Sequence, residues 1–288
     1  MREVFFLYVV FEEFAHWKRS TIKYDGDVLA FGEYLENDIL IHERRKMNLE
    51  NGMLIIGFPT IGLVGPIAAH HLISSMKLDH IGSIYSRYFQ PTAVIHNYVP
   101  TPPVNIFAGE EQCGPDGTCD QLIVVESEFL PPPSVLKPLG DAMMQWANDK
   151  RISLITVLEG MMKAEADDKL DVFGVGSTKN AREVLKRFGI SQLESGIVSG
   201  ISGVMLYEGE RVNKDVVCLL AETHIDYPDA RAAAVILVAL NHLLPQMEID
   251  PEPLLKQAEQ IEGKIKEAIR KATPQESKIS EAPFPIYR

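Results

Sequence analysis

The side chains best suited to acid–base chemistry cluster near residue 224. Glu222, His224 and Asp226 follow Val216–Leu220, an apolar run that predicts a buried strand. In open α/β sheets, ligand crevices form beyond the carboxyl ends of the strands. Carboxylates and an imidazole at that place could bind a metal or transfer protons. A catalytic crevice is therefore one hypothesis, although no activated nucleophile or metal-binding spacing accompanies these residues.

The same cluster also has a structural interpretation. Pro228 and Asp229 stand at the start of a helical pattern, Asp229–Leu244, and carboxylates stabilise the positive amino end of a helix. Glu126 and Glu128 follow another predicted strand and could lie at the same edge of the sheet if the two strands run parallel. We favour the structural role, because the pattern contains little that the start of a helix does not require.

Two glycine-containing turns could bring backbone N–H groups to a phosphate. Gly57–Gly65 joins a strand to a helix, but its spacing is neither that of a dinucleotide fold nor that of a P-loop, and no lysine follows. In the second turn, Phe173–Lys179, either Ser177 or Thr178 is suited to cap a helix. Close packing and helix capping are the favoured roles, and phosphate binding is the alternative.

The C-terminus carries a compact recognition element, Ile286-Tyr287-Arg288. An apolar side chain can fill a pocket, a tyrosine offers a ring and a hydroxyl, and a free α-carboxylate can pair with a lysine. Residues 273–288 lack periodicity and contain three prolines, which predicts a mobile tether. We therefore expect these last three residues to bind another protein.

Composition limits the function classes. Of the 288 residues, 46% are hydrophobic and 24% charged, as in globular proteins with a sizeable core. The formal net charge of −12 argues against nucleic acid and anionic membrane surfaces as partners. The apolar runs Val4–Phe11 and Ala232–Leu240 are too short to span a bilayer.

Three cysteines, Cys113, Cys119 and Cys218, do not make a disulfide framework and indicate a reducing compartment. We expect a cytoplasmic protein. Cys113 and Cys119 fit a surface loop better than a redox pair or a metal site, because no second pair with zinc spacing accompanies them. We expect no metal and no cofactor.

Apolar, β-branched runs predict five buried strands that alternate with helical patterns. The predicted strands are Met53–Ile56, Ile81–Tyr85, Leu122–Val125, Ile152–Leu158 and Val216–Leu220. The predicted helices are Gly62–Met76, Ser134–Asn148, Asn180–Phe188 and Asp229–Leu244. This alternation predicts an α/β fold with a parallel or mixed sheet and helices on both faces. Ala93–Phe107 contains three prolines and is better suited to an edge or a hairpin.

The order of these patterns divides the chain into four parts. Residues 1–20 form an N-terminal extension, and residues 21–248 form the α/β domain. Residues 249–272 form a C-terminal helix, because apolar side chains recur there at spacings of three and four. Residues 273–288 form the flexible tail.

Four segments resemble the archaeal-type branch of the PAC2 (proteasome assembly chaperone 2) family. They are Gly57–Gly65, Gly176–Ala181, Gly196–Gly203 and Leu220–Ala234. The resemblance extends from about Met53 to about Ile269, and the last segment is the most specific. It implies a three-layer α/β/α sandwich similar to nucleoside phosphorylases, a small helical C-terminal part, homo-oligomers and no established catalysis.

The resemblance also implies a partner. Members of the family resemble chaperones that bind 20S proteasome α-subunits or the assembled core particle. Ile286-Tyr287-Arg288 matches the hydrophobic–tyrosine–any-residue (HbYX) tail that docks between α-subunits. The leading hypothesis is an ATP-independent assembly chaperone or proteasome-binding factor.

Two alternatives stay open. The chain could be an enzyme with a phosphorylase-like crevice that acts on a small phosphorylated or nucleoside ligand through Glu222, His224 and Asp226. It could also be a homo-oligomeric scaffold for an unrelated partner.

Overall fold

The five predicted strands lie within one sheet of nine strands. The computed structural model describes residues 38–96, 98–109, 121–162, 170–223, 228–244, 247, 249–256 and 258. The strands are β1 Ile39–Glu43, β2 Met53–Gly57, β3 Asp79–Ser86, β4 Val94–His96, β5 Val99–Thr101, β6 Val104–Gly109, β7 Leu122–Ser127, β8 Leu154–Met162, β9 Val172–Gly176, β10 Ser191–Gln192 and β11 Val216–Thr223. The helices are α1 Val64–Ser75, α2 Pro133–Asp149, α3 Lys179–Arg187, α4 Gly200–Val212 and α5 Ala230–Leu243. A 3-10 turn, Ile61–Leu63, precedes α1.

The sheet is mixed, as the sequence predicts. Its strand order is β1-β3-β6-β7-β2-β8-β11-β9-β10. The central strands β7, β2, β8 and β11 are parallel to one another, whereas β1, β3 and β6 extend the sheet in antiparallel pairs. All five residues of β2 are buried, which is typical of a parallel strand that is covered on both faces.

Helices cover both faces of this sheet. Leu72 of α1, Leu185 of α3 and Leu240 of α5 belong to one apolar core. Leu139 of α2 and Met205 of α4 belong to the core on the opposite face. Successive residues of a strand point to opposite faces, so each central strand contributes to both cores. The predicted α/β fold with helices on both faces is confirmed, and the similarity to nucleoside phosphorylases stays a prediction.

The segment Ala93–Phe107 divides into two parts. The strands β4 and β5 form a separate two-stranded hairpin, as predicted for this proline-containing stretch. The interpretation as an edge is wrong for Val104–Gly109, because this strand lies between β3 and β7. Its prolines all precede Val104, so they leave the hydrogen bonds of the strand intact.

The predicted domain boundaries are largely outside the described residues. Residues 252–256 are helical, and Leu254 and Ala258 are buried, at the start of the predicted helix 249–272. The limits of the extension 1–20, of this helix and of the tail 273–288 stay predictions. Within the described part of the chain, no helix is long and apolar enough to cross a membrane.

Candidate functional site

Glu222, from the predicted acid–base cluster, lies near the carboxyl end of β11. Its Oε2 atom accepts a hydrogen bond of 3.1 Å from the backbone N–H of Asp171, and its own N–H donates to the Asp171 carbonyl at 3.0 Å. Glu222 therefore holds the residue that precedes β9 against β11. The other two members of the cluster, His224 and Asp226, lie outside the described residues.

Asp229 has the structural role that the sequence favours. Its Oδ1 atom accepts a 2.9 Å hydrogen bond from the backbone N–H of Ala232, so its side chain caps α5. Its Oδ2 atom accepts a 2.9 Å hydrogen bond from the hydroxyl of Thr223. The carboxylate thus joins the end of β11 to the start of the helix.

Glu126 does not join Glu222. Two strands, β2 and β8, lie between β7, which carries Glu126, and β11. At the spacing of neighbouring strands this separates the two strands by about 14 Å. The buried carboxylate of Glu126 instead lies 3.4 Å from Nδ1 of His70 on α1. The hydrogen bond to Glu126 raises the pKa of His70, and burial opposes the rise.

The first glycine-containing turn packs against the sheet. A Cβ atom on Gly65 would lie 2.6 Å from the carbonyl oxygen of Leu158 and 3.0 Å from that of Phe58. The backbone at the start of α1 therefore lies so close to the backbone of β8 that only glycine fits at this position. This contact supports the packing interpretation of Gly57–Gly65.

The second turn caps a helix. The Thr178 hydroxyl accepts a 3.0 Å hydrogen bond from the backbone N–H of Ala181 and is the N-cap of α3. The neighbouring Ser177 hydroxyl donates to the carbonyl of Lys214 at 2.8 Å. The predicted capping role is confirmed for Thr178.

A cavity of about 730 Å³ opens at the carboxyl edge of the parallel strands. Residues of the loop after β2, the start of α2, the end of β8 and the segment before α4 form its walls. Several apolar side chains at this cavity remain exposed to solvent. The exposed fraction is 62% for Leu130, 57% for Met162 and 98% for Ile197. The lining is mainly apolar, and Glu222 of the hypothesised catalytic crevice is not among the described residues that line this cavity.

Glu159 supplies the acidic group of this cavity. It lies on β8, is only 8% exposed and accepts a hydrogen bond from the hydroxyl of Ser202 on α4. Burial raises the pKa of Glu159, and the hydroxyls of Ser202 and Thr60 oppose the rise. No lysine, arginine or histidine of the described residues forms an ion pair with this carboxyl.

Cys218 lies beside this group, fully buried on β11. Burial and the neighbouring Glu159 carboxyl both raise the pKa of the thiol. A thiol held neutral in an apolar environment is a poor nucleophile. Cys218 is therefore best described as a buried core residue beside Glu159.

Sequence reasoning did not identify Glu159. Its local signal is a glutamate directly after Leu158, at the end of an apolar run and before Gly160. Ser202, its hydrogen-bond partner, is 43 residues away along the chain. Only the packing of α4 against β8 brings the two side chains together.

The predicted protein-binding residues Ile286, Tyr287 and Arg288 lie outside the described residues. Their role stays a prediction, and the same holds for the loop cysteines Cys113 and Cys119.

The fold recurs in two archaeal proteins of known structure. The structure is similar to PbaA of Pyrococcus furiosus, an archaeal homologue of proteasome-assembly chaperone, with a TM-score of 0.73 and 28% identity over 82% of this chain and 93% of that one. It also shares its fold with PbaB of Pyrococcus furiosus, an archaeal proteasome activator. The TM-score is 0.71 and the identity 23%, over 81% of this chain and 99% of that one.

A relative of unknown function covers even more of the sequence. An uncharacterised protein of Methanocaldococcus jannaschii is 29% identical over 245 residues, which are 85% of this chain and 96% of the relative. The model of the PAC2 family matches residues 54–269, which are most of the chain and include all of β2 but its first residue and every described strand from β3 to β11. The chain therefore belongs to the PAC2 family.

Proposed function

We propose that this chain is an ATP-independent proteasome assembly chaperone or proteasome-binding factor that docks its C-terminal tail on the α-ring of the 20S particle. The observation that carries the proposal is its membership of the PAC2 family together with its similarity to PbaA over 82% of its length. The proteasome is the kind of partner that the names of PbaA and PbaB indicate.

Each of the last three residues would make a different contact with the α-ring. Ile286 fills an apolar pocket, and the ring and hydroxyl of Tyr287 fix the direction of the docked tail. The α-carboxylate of Arg288 pairs with a lysine of the α-ring, because charge-assisted hydrogen bonds are the strongest that a peptide end can form.

Several tails on one homo-oligomer would bind more tightly than one. As a random coil, the tether Thr273–Arg288 would reach about 20–24 Å, from about 5–6 Å per square root of residue number. Once one tail is bound, the others face a raised effective concentration of pockets. A peptide of the last residues should therefore bind far more weakly than the whole protein.

Substitution of the tail tests the proposal. Tyr287→Ala should weaken binding to the cognate 20S core particle at least tenfold, roughly the loss of one anchoring aromatic side chain. Ser280→Ala, within the tether, is the matched control and should bind like the parent chain. Surface plasmon resonance with immobilised core particle measures both. Equal affinity of Tyr287→Ala and the control would contradict the proposal.

The enzyme alternative has less support from the described residues. Glu222 holds the start of β9, and Asp229 caps α5. No described lysine or arginine lines the cavity at the carboxyl edge, where a phosphorylated ligand would need a cation. We therefore favour the chaperone over an enzyme that acts on phosphorylated substrates.

A further inference from the structure

We propose that the cavity at the carboxyl edge of the sheet binds a small organic cation with an apolar body, whose charged nitrogen pairs with the carboxyl of Glu159. This ligand site is independent of the tail and of the proteasome. It rests on the size of the cavity, its apolar walls and the charge at its surface.

The size is suitable for a small molecule. At about 730 Å³ the cavity lies within the range of pockets that enclose most of the surface of a small organic ligand. It lies outside the carboxyl ends of parallel strands, where open α/β sheets bind ligands. The end of β8 and the first residues of α2 and α4 contribute to its walls.

The walls select an apolar body. Leu130, Met162 and Ile197 are large apolar side chains that remain more than half exposed in this cavity. Pro59 and Pro133 add further apolar surface at the cavity. A ligand that covers these groups removes apolar surface from water, which is the main driving force for binding in such pockets.

The charge at the cavity selects a cation. Glu159 is the single acidic or basic residue among the described residues that line the cavity. Its carboxyl has hydroxyl partners in Ser202 and Thr60 but no described cation. A buried carboxylate forms its strongest contacts with N⁺–H donors. An anionic ligand would meet only this carboxyl and would be repelled.

Three probes with one apolar body and different head groups test the assignment. They are cyclohexylmethylamine, cyclohexylmethanol and cyclohexanecarboxylate, titrated into the full-length protein by calorimetry. We expect the amine to bind roughly 10- to 100-fold more tightly than the alcohol, the usual advantage of a hydrogen bond to a charged group. The carboxylate should bind most weakly.

Substitutions locate the effect. Glu159→Gln keeps the shape of the side chain and a hydrogen bond to Ser202 but removes the charge. The amine and the alcohol should therefore bind this variant with about equal affinity. Glu210→Gln removes an exposed carboxylate from α4 and should keep the full preference. Ile197→Lys places a positive charge at a side chain that is 98% exposed, which leaves the core untouched. The new charge repels the ammonium group, so Ile197→Lys should weaken binding of the amine about fivefold or more.

Four results would overturn the proposal. They are an alcohol that binds as tightly as the amine, a carboxylate that binds best, a Glu159→Gln protein that keeps the preference, and no binding of any probe up to a concentration of roughly 10 mM, the weak limit for ligands of this size. Should Glu159→Gln fail to fold, the response of Ile197→Lys decides the outcome in its place.

Discussion

The hydroxyl of Ser202 donates a hydrogen bond to the carboxyl of Glu159, and this contact joins α4 to β8 beside the cavity. Both side chains are buried, Ser202 completely and Glu159 to all but 8%. Ser202 lies in the first turn of α4. The pair therefore places an acidic group at the wall of the cavity, whose other lining residues are mainly apolar.

Glu159 should make stability depend on pH. Its pKa is raised in the folded protein, mainly by burial, so the folded state holds its proton to a higher pH than the unfolded state. Stability from this group is therefore full below the unfolded pKa and is lost as pH rises through the folded pKa. The neutral variant Glu159→Gln should gain stability over the parent as pH rises from about 4 to about 8.

Urea unfolding of both proteins across this range measures the difference in free energy of unfolding. A difference that is the same at every pH would contradict the assignment, because a pH-independent difference does not come from the titration of the carboxyl.

Gly160 should tolerate no side chain. A Cβ atom there would overlap the carbonyl oxygen of Ile61 and lie 3.0 Å from Cγ2 of Thr223. Gly160→Ala should cost about 1–3 kcal/mol of unfolding free energy, the usual range for overpacking. The control is Gly196→Ala, where the new methyl would meet only the movable side chain of Leu193. Urea midpoints of the two variants compare them, and equal midpoints would contradict the packing at Gly160.

His70 and Glu126 should stabilise the fold only at low pH. Glu126 raises the pKa of His70, so the contribution is full below the unfolded pKa of His70 and disappears as pH rises through the folded value. His70→Gln should lower stability by less than about 1 kcal/mol at pH about 5.5, because His70 is largely exposed, and should have no effect at pH about 9.

Thermal unfolding at these two pH values measures the loss. Glu126→Gln, which removes the charge that attracts the imidazolium, should give the same pH dependence. A loss of equal size at both pH values would exclude the ion pair as its cause.

Asp229→Ala should weaken the start of α5. The substitution removes the cap on the N–H of Ala232 and the acceptor for the hydroxyl of Thr223, so we expect a cost of about 1–2 kcal/mol. Asp229→Asn keeps an oxygen for the cap and should lose less than half of that. Chemical unfolding followed by circular dichroism measures both variants. An alanine variant as stable as the parent would contradict the capping role.

The buried strands and two of the helix caps could be predicted from neighbouring residues in the sequence. Runs such as Met53–Ile56 and Leu122–Val125 are apolar on both faces because helices cover both faces of the sheet. Thr178 and Asp229 cap their helices through bonds to residues three positions later in the chain, which the sequence shows directly.

Long-range packing determines the parts that the sequence could not show. The helix Gly200–Val212 contains three glycines, at 200, 203 and 209, which weaken its helical pattern. Its packing against the sheet brings Ser202 to Glu159, so a prediction that lacks this helix could not find the acidic group either. The strand order likewise separates Glu126 from Glu222, although both lie at carboxyl ends of parallel strands.

Native mass spectrometry of the protein with the 20S core particle is the most direct test of the proposed function. The full-length chain and a chain lacking Ile286–Arg288 are each mixed with the cognate core particle and, separately, with free α-subunits. Under the proposed function, the full-length chain forms a complex that disappears when the three residues are removed. No complex of the full-length chain with either partner, or complexes of equal abundance for both chains, would contradict it.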